Sequence, residues 1–336
     1  MLRCMYSGIS GMKVNQTKLD VIGNNIANVG TTSFKSSTAR FKDMLYQNAG
    51  EATSPTTVLG GTNAKQVGLG AQLSSINKVM GQGNALSTGR SLDVCIDGDG
   101  YMVVSKGPIT GGIGTGATNP ATGMTETLFT RDGNLTLDYQ GNLLTSDGHR
   151  VMGYYLTAGG DASLAENTTT HVLEAKYVDA DSTDLKASDD ILRPLAIPDS
   201  VDVGGVKQPV KKFEIGKDGV ITAVLGDGSR SAIGQIAMAS FKNPEGLTDI
   251  GGNMSLNSSN SGPIVYKTGL GATSTSTPPD NSGGFGSIIQ GCLEGSNVDL
   301  TEQFTDMITA TRSFQAASKM ITTGDEILQT VTGLMR

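Results

Sequence analysis

The sequence predicts a mixed fold: mainly β domains in the middle, with N- and C-terminal α-helices that pair as a coiled coil. Three observations carry this. Apolar residues recur at steps of three and four through 2–28 and again through 298–335. Between these stretches, short alternating runs are separated by Asp-Gly and other Gly-rich turns. Glycine, at 46 of 336 residues, is too abundant for an all-helical chain. The pattern divides into a terminal-helix domain (1–28 plus 298–336) and a linker and connecting segment (29–91). A core β domain follows (92–156 plus 213–297), with a small inserted outer β domain (157–212).

The first helix presents Leu2, Met5, Ile9, Met12, Leu19, Ile22 and Ile26 along one face, interrupted at Gln16. Gly30, Thr31, Thr32 and Ser33 end it. Phe34, Phe41 and Tyr46 lead into a Gly/Thr/Pro stretch at 49–63, which reads as connecting chain. Strands begin with the alternating run 92–96, turn at 97–100 and continue through 101–104. Residues 107–124 read as a surface loop. Strands resume at 127–130, 134–138, 142–145 and 151–156. The segment 157–212 is more charged and irregular, and 272–284 reads as a linker.

The last helix carries Leu300, Phe304, Met307, Thr311, Phe314, Ser318, Ile321, Leu328 and Met335 near a seven-residue repeat. Asp299, with Glu302 three positions on, gives it a capping-box-like start. A continuous helix over 299–336 would be about 57 Å long. Periodicity alone fits a helix pair packed on its own domain. The small and polar residues in the seams make such a private pair marginal. Gly8, Gly11 and Gly23 each cost about 1 kcal/mol of helix stability relative to Ala. Both features favour helices that order fully when neighbouring chains cover them.

Composition excludes several classes. The net charge of −7 comes with no basic cluster, so no nucleic-acid partner is expected. No apolar run approaches the roughly 18 residues of a membrane helix, so no membrane insertion is expected. Ser7, Ser10, Lys13, Asn15 and Gln16 interrupt any signal-peptide core. That pattern suits a cytoplasmic protein, and equally one exported by a dedicated route that reads a disordered N-terminus. Cys4, Cys95 and Cys292 have neither disulfide-framework nor metal-ligand spacing.

No constellation carries chemistry. The run from Asp93 to Val104 starts like a calcium loop but has Cys95 at the third position and Val104 at the twelfth, where a bidentate Glu belongs. Asp179, Asp181 and Asp184 read as a solvated loop. His149 and His171 stand apart from any zinc or nucleophile motif, and no phosphate-binding loop is present. No catalytic residue, cofactor or metal is assigned. A secreted enzyme or carbohydrate-binding module on the β-rich middle is the alternative from another class.

Ser10-Gly11-Met12, the run 22–28 (IGNNIAN) and 31–35 (TTSFK) resemble the N-terminal signature of bacterial flagellar rod and hook proteins. The segments 97–101 (DGDGY), 130–134 (TRDGN) and 141–143 (GNL) are similar to that family's core, and 293–300 (LEGSNVDL) to its C-terminal hallmark. Within the family, the runs 233–247 and 314–328 resemble the hook subunit more than the distal rod subunit.

The resemblance implies a structural subunit, exported unfolded through the type III apparatus to the extracellular flagellum without a cleaved signal peptide. It implies a homopolymeric helical tube whose inner layer is built from the terminal helices. The expected interface residues are Leu2, Met5, Ile9, Met12, Leu19, Ile22, Ile26, Leu300, Phe304, Met307, Phe314, Ile321 and Leu328. Rod, hook-cap and hook-filament junction proteins are the implied neighbours. A hook would serve as a universal joint carrying torque from motor and rod to filament. Because some family members cross-link hook subunits through Cys and Lys, Cys95 is the candidate for such a bond.

Overall fold

The computed structural model describes residues 2–334 apart from 56, 58–59, 110, 115–122, 125, 159–160, 167–172, 189–190 and 272–284. The side chains of Leu2, Arg3, Cys4, Asp161 and Glu166 are also outside the described set. His171, Met335, the expected linker 272–284 and half of the 107–124 loop therefore lie beyond what is described.

The chain forms two compact units. One comprises Met1–Gly30, Phe34–Gly81 and Ser296–Arg336; the other comprises Thr31–Ser33 and Gln82–Gly295.

The first unit holds α1 (Leu2–Ala27) and α2 (Leu300–Leu334). The Asp299 carboxylate accepts the backbone N–H of Thr301 at 2.8 Å and of Glu302 at 3.4 Å, capping the free donors of the first turn of α2. The helices run antiparallel: Met5 faces Gly324, Lys18 pairs with Asp306 at 3.3 Å, and Asn25 meets Gln303.

The same unit contains four strands: β1 (Ser37–Asp43), β2 (Tyr46–Gly50), β3 (Lys65–Gly68) and β4 (Ala71–Lys78). β1 pairs antiparallel with β4, and β2 with β3, so the chain runs out and back as a two-stranded ribbon. A Thr53–Thr62 bridge lies toward its far end. The expected linker 29–91 is corrected here, since most of it is ribbon. The ribbon is held by backbone pairing, which needs no apolar alternation; β3 is exposed at every position.

The second unit is built of strands. β5 (Ala85–Ser87) pairs with Cys292–Glu294, and β6 (Val94–Asp97) with Ser287–Gln290. β7 (Tyr101–Lys106) pairs with Glu126–Thr130, Arg150–Ala158 and Met238–Ser240. The strand Arg150–Ala158 is the hub. It also pairs with Ile191–Pro194 and Arg230–Ile236, and it is buried from Val151 to Leu156. A strand buried on both faces is apolar at successive positions rather than alternating.

The boundaries of 157–212 do not survive as those of a separate domain. Leu164, Leu173, Ala175, Leu195 and Val201 from this segment share one core with Val94, Ile96, Met102, Val104 and Leu135. Two long strands, Arg150–Ala158 and Val206–Ile215, also run across the expected boundaries.

Candidate assembly surface

Small and polar residues set the contact between α1 and α2. On α2, Gln303, Ala310, Ala317 and Gly324 stand seven residues apart, and all but the half-buried Ala317 are buried. On α1, Gly8, Ile22 and Asn25 are buried. A β-carbon at Gly8 would stand 3.2 Å from Ile321 Cγ1, and one at Gly324 would stand 3.2 Å from Met5 Cγ. Gly8, which weakens α1 as an isolated helix, thus allows its close approach to α2.

The ribbon is tied to the helices by two asparagines. Asn25 Nδ2 donates to the Ser37 carbonyl at 2.8 Å and to Gln303 Oε1 at 3.0 Å, and its Oδ1 accepts the Ser37 N–H at 3.0 Å. Asn297 Nδ2 donates to the Val79 carbonyl at 2.7 Å, and its Oδ1 accepts the Ser36 N–H at 2.7 Å. Further out, the ribbon presses on α1 at Gly70, where a β-carbon would overlap the Ser10 hydroxyl. Gly70 also has φ +117°, a conformation that disfavours any side chain.

This unit leaves much apolar surface uncovered. Phe41, Leu45, Phe304, Ile308, Met320 and Leu334 are all exposed. Between α1 and the ribbon lies a groove of about 630 Å³, lined mainly by apolar groups of Tyr6, Ile9, Val14, Met44, Leu69 and Leu73. Contiguous apolar surface of this kind marks an interaction site.

In the β-rich unit, the segments 32–33, 98–100, 131–132 and 293–295 converge on a buried ion pair. Arg131 Nε donates to Glu294 Oε2 at 2.9 Å, and both side chains are buried. The guanidinium also donates to the carbonyls of Gly98 at 2.8 Å and Gly100 at 3.1 Å. Glu294 Oε1 accepts the Gly83 N–H at 3.0 Å. Ser33 donates its hydroxyl to the Arg131 carbonyl and its N–H to the Glu294 carbonyl, each at 2.8 Å. Sequence reading found these segments singly and missed the pairing, because the partners lie 163 residues apart.

Models of three families match in chain order. The flagella basal body rod protein model matches residues 5–35. The flagellar hook protein FlgE/F/G D1 domain matches 117–223, which includes all of the segment 157–212. The flagellar basal body rod FlgEFG protein C-terminal model matches 289–334. The flagellar basal-body rod protein FlgG of Bacillus subtilis is 38% identical over 338 residues, covering 100% of both chains.

This chain belongs to the flagellar rod and hook protein family. Members are structural proteins of the bacterial flagellum, and hook members are also similar to it. The Treponema pallidum flagellar hook protein FlgE is 30% identical over 476 residues, covering 100% of both chains. Among solved structures, a Helicobacter pylori flagellar hook protein FlgE2 aligns with a TM-score of 0.40 and 10% identity, over 62% of this chain and 100% of that one. At that distance it carries no argument.

The structure separates the expected interface residues into two groups. Met5, Met12, Leu19, Ile22, Ile26, Met307, Ile321 and Leu328 are buried or half-buried. Ile9, Leu300, Phe304 and Phe314 are at least a third exposed, and Phe304 reaches 49%. The side chain of Leu2 lies outside the described residues. On α2, the expected line through Phe304, Thr311 and Ser318 is off by one residue. The inward line runs through Gln303, Ala310 and Ala317: the two alanines permit closer approach than their bulkier neighbours do, and Gln303 turns inward to accept from Asn25.

Cys95 is a poor cross-linking thiol. It lies within β6 and is 1% exposed. Burial above all, with the nearby Glu294 carboxylate contributing, pushes its pKa above the ordinary thiol value, so the reactive thiolate is disfavoured. Among the described residues no helix is long and apolar enough to cross a membrane, and no group of acidic, His or Cys side chains is arranged to hold a metal.

Proposed function

We propose that this chain is an axial building block of the flagellum, of the distal-rod type, which polymerises through its helical unit into a helical tube. The observation that carries this is the uncovered apolar surface of that unit. Among the described residues, only Ile22 and Ala310 are fully buried apolar side chains there. Such a unit gains most of its packing from other copies. Heterologous, non-closing contacts between copies generate an open filament. The α1–α2 pair, with its seven-residue repeat of small and polar residues, would act in the tube as a coiled coil forming the inner layer.

Chain length favours the rod over the hook reading. The rod relative from Bacillus subtilis aligns end to end over 338 residues. Alignments with the hook proteins of Borreliella burgdorferi and Treponema pallidum run over 464 and 476 positions. With 336 residues here, those hook proteins carry additional chain that this protein lacks. The hook reading keeps support from the hook-like runs 233–247 and 314–328. In that case the tube would serve as the universal joint. On either reading, export is through the type III apparatus to the flagellum, with no enzymatic step, and the neighbours are other rod and hook components.

Immunogold labelling of isolated flagella separates the two. Label confined to the rod below the hook supports the rod reading. Label along the curved hook supports the other, and label on neither would overturn the axial assignment.

A further inference from the structure

We propose that the groove between α1 and the ribbon is the receptor for the C-terminal end of α2 from a second copy. This deepens the axial-polymer reading and rests on it.

The receptor side is a trough about three helical turns long. Tyr6, Ile9, Ser10, Lys13, Val14 and Thr17 of α1 form one wall, spaced at three and four residues. The ribbon forms the other wall through Met44, Leu69, Ala71 and Leu73. Tyr6 is 67% exposed and Ile9 is 38% exposed, so this chain leaves the trough open.

The occupant is identified by length and pattern. Met5 faces Gly324, so in this antiparallel register α2 runs past the described start of α1 from Ile327 onward. The overhang presents Ile327, Val331 and Leu334 at positions i, i+4 and i+7, all exposed. That is the anchor pattern of a helix that docks in a groove. The overhang belongs to one continuous helix directed beyond the N-terminal end of α1, so it cannot fold back into its own trough.

Charge agrees with this choice. Asp325 and Glu326 precede the anchors, and no Lys or Arg lies between Lys319 and Arg336. The negative end of the α2 dipole lies at the same place. Lys13 is exposed on the receptor wall. Donor and acceptor surfaces differ, so the contact is head-to-tail and each copy can both give and receive.

The test uses the full-length chain and two single variants, Ile9→Asp in the receptor and Val331→Asp in the overhang. Tyr6→Asp serves as a second receptor variant at a more exposed position. Unfolding curves verify that each variant keeps its β-rich unit. Assembly is followed by sedimentation and negative-stain microscopy. We expect wild-type chain to polymerise and each variant alone to need about tenfold more protein or worse. An equimolar mixture of Ile9→Asp and Val331→Asp should regain association but stop at dimers, because each pair retains one intact donor and one intact receptor. Variants that polymerise as wild type would overturn the docking and leave the axial reading standing. A mixture that stays monomeric would also overturn the docking. Wild-type chain that fails to polymerise at any concentration would overturn the axial reading itself.

Discussion

The β-rich unit closes over Val94, Ile96, Met102, Val104, Leu143 and Ile221, each essentially inaccessible to water. The helical unit buries little apart from Ile22 and Ala310, while Phe304, Ile308, Met320 and Leu334 remain exposed. The β-rich unit carries its stability within one chain. The helical unit holds its helices by close backbone approach at Gly8 and Gly324 and by the Asn25 and Asn297 hydrogen bonds, with a small hydrophobic contribution. The difference teaches that the two units face different demands. One must hold its fold wherever it finds itself, and the other must stay incomplete until a neighbour completes it.

The largest expected effect lies in the β-rich unit. Glu294→Ala leaves the Arg131 charge buried without its carboxylate partner and removes the acceptor of the Gly83 N–H. It should cost about 3–5 kcal/mol in denaturant unfolding. A loss below about 1 kcal/mol would break the claim that this unit is rigidly self-contained.

Next comes a matched truncation in each unit. Leu192→Ala, at a site with no exposure, should cost about 2–5 kcal/mol of monomer stability. Phe304→Ala, at 49% exposure, should change monomer stability by less than about 0.5 kcal/mol while impairing polymerisation. Equal losses in the monomer would erase the contrast.

A smaller effect than the core truncation is expected at Gly23, whose β-carbon position has nothing within 4 Å in the single chain. Gly23→Ala should stabilise α1 by about 1 kcal/mol in the monomer, read as helicity by circular dichroism. If the same change hinders polymerisation, a neighbouring copy approaches α1 closely at that point.

These expectations show where sequence reading succeeds. Strands with buried alternating residues, such as Leu143–Thr145, were legible because period-two burial leaves a side-chain pattern. The helices were legible for the same reason at period 3.6, as was the inward line Met307, Ile321 and Leu328. The companion line of Gln303, Ala310, Ala317 and Gly324 was not, because small and polar residues carry no apolar signal. The ribbon escaped because its strands are held by backbone hydrogen bonds and its side chains face water. The Arg131–Glu294 pair escaped because only the fold brings the two together. The segment 157–212 was set apart by its charged loops, although its leucines and Val201 belong to the common core.

Hydrogen exchange on the monomer and on the polymer tests the central claim most directly. The account predicts that monomer amides of α1 and α2 open at a cost of about 1–2 kcal/mol, while strands such as Arg150–Ala158 open only near the global unfolding free energy. In the polymer, the helical amides should become as protected as those strands. Helices already protected to the level of the β-rich unit in the monomer would contradict the account.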